Sequence, residues 1–87
     1  MWRAHPRQAV LDAYAALHAA GVVHRTAKPK HWLASAKGMR LIDFGDSAVL
    51  DAPDVPRWAP SGRVVSRVFF DALVEDETVR VRRALGL

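Results

Sequence analysis

The chain has 87 residues, 51% hydrophobic and 25% charged, with a formal net charge of +4 and no cysteine. That composition is too apolar for an obligately disordered segment, yet so short a chain buries only about 60–65% of its extended surface, so one thin core is the most it can build. The lack of cysteine excludes disulfides and thiolate zinc sites, and no apolar run approaches the ~20 residues needed to span a bilayer.

The N-terminal MWRAHPRQ has no signal-peptide core, which makes a cytoplasmic location the default expectation. Pro6 suits the first turn of a helix and Gly21 its end. Between them Val10, Ala13, Tyr14 and Leu17 recur at three- and four-residue intervals among many alanines, which predicts an amphipathic helix over residues 7–20. Val22 and Val23 then predict a short buried strand that delivers His24 and Arg25 at its end. Residues 27–31, with Pro29, predict a loop. The apolar stretches 32–34 and 39–42 flank Ser35-Ala36-Lys37-Gly38 and fit a hairpin, which returns the 24–31 loop towards Asp43.

Residues 45–62 hold Pro53, Pro56 and Pro60 among several charges and predict an extended loop or linker. In residues 63–74, Val64, Val68 and Ala72 make one i,i+4 row and Val65, Phe69 and Leu73 a second. Together they predict a helix with a broad apolar face, while the β-branched density leaves a strand open. Residues 78–85 fit a last short helix, with Glu77 near its start, Arg82 and Arg83 near its end and Gly86 as its stop; the alternation of Val79, Arg80, Val81 and Arg82 fits a strand as well. The Arg80, Arg82 and Arg83 cluster has the charge to touch nucleic-acid phosphates. Glu75, Asp76 and Glu77 stand beside it and no second nucleic-acid motif is present, so the expectation is a solvated helix end, with neither nucleic acid nor membrane as partner.

One constellation carries chemistry. The run His24-Arg25-Thr26-Ala27-Lys28-Pro29-Lys30-His31 resembles the catalytic loop of the protein-kinase superfamily, HRDxKPxN, and Leu41-Ile42-Asp43-Phe44-Gly45 resembles the strand leading into its DFG magnesium motif. The resemblance covers about residues 7–47, where helix, loop, hairpin and DFG turn follow in family order. Small-molecule phosphotransferases of the same superfamily carry a similar IDFGD-like segment, so the substrate class stays open.

The resemblance implies an α+β fold, a partial protein-kinase-like C-lobe with a helix, a small β-hairpin, an extended loop and one or two C-terminal helices. Residues 1–47 would be the catalytic-loop and DFG region, 48–62 a Pro-rich activation-segment-like loop, and 63–87 an apolar helical segment with a basic end. Magnesium and ATP are implied by the resemblance alone, with Asp43 as the ligand bridging metal and nucleotide phosphates. It further implies that Lys28 neutralises phosphate, that Arg25 pairs with a phosphorylated activation segment, that His24 packs beneath the DFG turn, that Phe44 is a packing residue, and that Gly45 permits the turn.

Two departures bear on activity. Thr26 stands where the family places its substrate-orienting carboxylate; a hydroxyl cannot replace an anionic proton acceptor, and loss of that role costs on the order of 10²–10⁴ in rate. His31 stands at the position of the asparagine that holds a second magnesium, and imidazole is a softer donor than magnesium prefers. Asp43 and His31 remain the candidate metal ligands, and adding His24 gives a conceivable zinc set.

Ala59-Pro60-Ser61 faintly resembles the APE segment, with Ser61 at its acidic position, and no Gly-rich loop, strand lysine or helix glutamate of an N-terminal lobe fits the residues preceding the first helix. The expected function is therefore a kinase-like fragment without phosphotransferase activity of its own. The alternatives are a partner-binding or self-associating scaffold that uses Val64, Val68, Phe69 and Leu73, and one part of a split ATP-dependent phosphotransferase whose other lobe a partner supplies.

Overall fold

A computed structural model of the chain describes the backbone of residues 4–28, 32–35 and 38–87, and the side chains of 7–28, 32 and 40–87. Helix α1 spans Ala4–Ala19. Val10 and Tyr14, one turn apart, form its buried face. Its end is set by Gly21, which lies at φ +83 and returns its backbone N–H to the His18 carbonyl at 3.0 Å.

Gly21 also packs tightly, because a Cβ there would lie 2.8 and 2.9 Å from the two Val55 methyls. Gly21→Ala therefore combines a left-handed backbone penalty with a clash, and urea denaturation should show about 2 kcal/mol of lost stability. A loss below about 0.5 kcal/mol would contradict the packing described here.

Strand β1 is Val22–Val23. Strands β2, Trp32–Ser35, and β3, Gly38–Leu41, form the expected antiparallel hairpin, with Trp32 opposite Leu41 and Ser35 opposite Gly38. The turn residues 36 and 37 lie outside the described residues, as do 29–31 of the preceding loop.

Residues 45–62 contain the expected extended loop, over 51–62, but also a strand that was not expected. Ala48–Leu50 form strand β4, buried along its whole length, and residues 51–62 are a crossover rather than a tether. Strand β5, Arg63–Val65, lies parallel to β4 with Val49 opposite Val64, and β1 pairs with the other edge of β4 in antiparallel register, Val22 opposite Val49. A parallel neighbour requires a connection of about a dozen residues, and the proline-rich stretch supplies it. The three sequence stretches 1–47, 48–62 and 63–87 thus each contribute one strand to a single sheet in the order β1-β4-β5.

The predicted helical face over residues 63–74 is also revised. Arg63–Val65 is strand, Ser66 is the N-cap whose hydroxyl accepts from the Phe69 N–H, and α2 runs unbroken over Arg67–Ala84. The break before Thr78 and the strand alternative at 79–82 do not occur. Gly86, at φ +78, ends the helix as expected.

Phe70, Glu77 and Val81 are the buried residues of α2. Phe70 joins Val23, Ala48 and Leu50 in one core cluster, while Val81 joins Val10 and Tyr14 in a second. The fold is α+β: a helix, small sheets and a second helix packed on the first and on β1 and β4. No helix among the described residues is long and apolar enough to cross a membrane.

Candidate functional site

The strand β1 and the hairpin bring the His24–Lys28 segment against the Ile42–Gly45 turn. His24 is fully buried at the end of β1, and its Nε2 lies 2.7 Å from the Ile42 carbonyl. A carbonyl only accepts, so Nε2 carries the hydrogen and Nδ1 is left as acceptor, facing the Thr26 backbone N–H at 3.3 Å and its hydroxyl at 3.0 Å. The imidazole meets the Phe44 ring edge-on, centroids 4.7 Å apart, and the Tyr14 ring edge-on at 6.2 Å. With both ring nitrogens engaged inside the fold, His24 is a post under the turn rather than a group open to a substrate proton.

The carboxylate that organises this loop is Glu77. It is 2% exposed, accepts the His24 backbone N–H at 3.0 Å and the Arg25 backbone N–H at 2.5 Å, and receives His18 Nε2–H at 2.8 Å. Arg25 sits at φ +72, which costs a non-glycine residue of order 1–2 kcal/mol. That geometry turns two successive amides towards one carboxylate, and charge-assisted bonds offset the strain. Sequence reasoning placed Glu77 at a helix end. The available signal was an acid on the stripe Phe70, Val74, Glu77, Val81, whose other members are apolar.

Tyr14 lies beneath this assembly and accepts the Trp32 indole N–H at 2.8 Å. Burial pushes its phenol up from 10.0 to about 12; the Trp32 hydrogen bond acts downward and the negative Glu77 adds to the rise. Because the folded value lies above the unfolded one, Tyr14's contribution is complete below pH 10 and is lost as the pH climbs towards 12. Absorbance titration of this sole tyrosine should give a midpoint near 12 in folded protein and near 10 in urea, with stability falling as the pH rises between them. A midpoint near 10 with the fold intact would contradict this burial.

The remaining candidates divide. Thr26 and Asp43 are brought together, the threonine hydroxyl lying 3.4 Å from the Asp43 carbonyl oxygen. The Arg25 guanidinium reaches the Asp46 carbonyl at 3.3 Å, just past the turn. Lys28 is exposed, and His31 lies outside the described residues. The left-handed residue of the turn is Asp43, at φ +62, and not Gly45, where a Cβ would meet Asp43 Oδ1 at an ordinary 3.7 Å. The expectation that Gly45 provides the turn's conformational freedom is thereby corrected. Ser61 donates its hydroxyl to the Ser47 carbonyl and accepts the Arg63 N–H at 3.3 Å, tying the segment after the turn to the start of β5.

Exposed Asp43 offers a hard oxygen ligand, but the facing loop position brings the Thr26 hydroxyl, and among the described residues no three His, Cys, Asp or Glu side chains converge. Phosphoryl transfer of the kinase kind places a carboxylate proton acceptor at that loop position, and the Thr26 hydroxyl is not one. Of the proposed contact residues, Val64, Val68 and Phe69 are exposed, whereas Leu73 is half-buried against the Val23–Phe70 core cluster.

Two curated proteins share sequence with the chain. A probable serine/threonine-protein kinase PkwA of Thermomonospora curvata is 44% identical over 43 residues, covering 49% of this chain and 6% of that protein. A putative cyclin-dependent kinase F-2 of Oryza sativa subsp. japonica is 42% identical over 52 residues, covering 59% of this chain and 16% of that protein. The chain therefore has partial homology to protein kinases and spans a small fraction of the length of these relatives. No family model and no solved structure matches it.

Proposed function

We propose that this chain is a protein-kinase-like C-lobe segment that holds the loop-and-turn framework of a phosphotransferase and has no phosphotransferase activity of its own. The observation that carries this reading is Thr26. Its hydroxyl sits 3.0 Å from His24 Nδ1, within a loop whose amides are held by Glu77, where the family's arrangement requires an anionic proton acceptor. The partial homology to kinases supports the ancestry, and a hydroxyl in place of the carboxylate at Thr26 supports the loss of activity. On this reading residues 1–47 carry the vestigial site and Asp43 is its remaining phosphate-side carboxylate.

Transfer of radiolabelled phosphate from ATP to the chain itself or to a generic protein acceptor should stay at background. Thr26→Asp should leave it there, because restoring one carboxylate supplies no nucleotide clamp. Transfer above background by the unaltered chain would sink the proposal.

A second reading, separate from the first, gives α2 a protein-contacting role. Val68 and Phe69 are 82% and 60% exposed at its first turn, a large apolar outlay for so small a fold.

A further inference from the structure

We propose that α2 packs antiparallel against α2 of a second copy of this chain, forming a two-fold dimer. This deepens the protein-contact reading of α2 and is independent of the kinase-like one. The outward face of the helix is a stripe of Val68, Ala72, Glu75, Val79 and Arg82, spaced by four, three, four and three residues, and every member is exposed. That spacing keeps one seam facing a partner along two helices that wind gently round each other, and the buried Phe70, Glu77 and Val81 lie on the other side.

Charge selects the occupant and its direction. Arg67 is paired with Asp71 and Arg80 with Asp76 within the helix, whereas Glu75, Arg82 and Arg83 enter no salt bridge with another described residue. The leftover acid thus precedes the leftover bases along the same face. A parallel pair would set Glu75 beside its own copy. An antiparallel pair crossing its two-fold axis at the level of Glu77 places Ala72 against Arg82 and Glu75 against Val79 of the second copy. Glu75 and the second copy's Arg82 are then about 4.5 Å apart along the axis, a distance that two long side chains span, and the pair occurs twice.

One helix face buries less than the roughly 1,200 Å² of a standard stable interface, so the association is of the weak class. Its self-complementarity provides a direct test. Sedimentation equilibrium of the chain, in a series reaching about 1 mM, should show reversible dimerisation. Glu75→Arg and Arg82→Glu each replace two attractive pairs by two repulsive ones and should weaken self-association by about tenfold or more, while an equimolar mixture of the two variants re-creates opposite charges at both positions and should regain wild-type association within about threefold. Far-UV circular dichroism of both variants should match the wild type, since both positions are exposed. A wild-type chain that stays monomeric across the series overturns the proposal, as does a dimer indifferent to both swaps. If that indifferent dimer is lost in Phe69→Asp, the contact reading of α2 stands and the antiparallel arrangement falls.

Discussion

Glu77→Ala should cost about 3–5 kcal/mol, a large share of the roughly 5–15 kcal/mol that holds a small domain together. The substitution removes the acceptor of two backbone amides and of His18, and it leaves the left-handed Arg25 without the bonds that offset its strain. Glu77→Gln keeps one acceptor oxygen and should lose less, about 1–2 kcal/mol. Urea denaturation measures the totals. Amide hydrogen exchange of the alanine variant at His24 and Arg25, under conditions where its fold persists, should be accelerated more than exchange elsewhere. An alanine variant within about 1 kcal/mol of wild type would show that the loop is held by something other than this carboxylate.

The second large effect concerns the phase of α2. Phe70 is 3% exposed and packs with Val23, Ala48 and Leu50, so Phe70→Ala should lose about 3–5 kcal/mol through transfer and cavity terms. Phe69→Asp, one residue earlier and 60% exposed, should change monomer stability by less than about 1 kcal/mol. The reverse order of these two losses, read by thermal or urea unfolding at low concentration, would mean that α2 presents a different face to the core.

These two residues also mark where sequence reasoning reached and where it stopped. Helix α1 was legible because alanine propensity, the Val10–Tyr14 spacing and the Gly21 stop all agree. The hairpin was legible from two apolar runs around a short polar break, and with it the approach of His24 and Thr26 to Asp43. The phase of α2 was not, because Val64 and Val65 belong to a strand. Counting them in an i,i+4 row carried a helical period across a boundary set by Ser66, and this pointed Phe69 rather than Phe70 along the main apolar face.

Strand β4 escaped for another reason. A three-residue strand buried on both faces has no alternation to read, and the prolines after it dominate the local composition. Glu77 was hidden because two of its partners are backbone amides of residues 24 and 25, which leave no mark in side-chain pattern, and the third, His18, lies 59 residues away. The local motif was thus readable, while the long-range bonds that hold it were settled by tertiary packing.

The central claim, a kinase-like framework without independent phosphotransfer, is tested most directly by titrating a fluorescent ATP analogue into the chain with and without magnesium, beside the Asp43→Ala variant. Neither protein should show saturable magnesium-dependent binding across the sub-millimolar range. Saturable binding by the unaltered chain that requires magnesium and disappears in Asp43→Ala would contradict that claim.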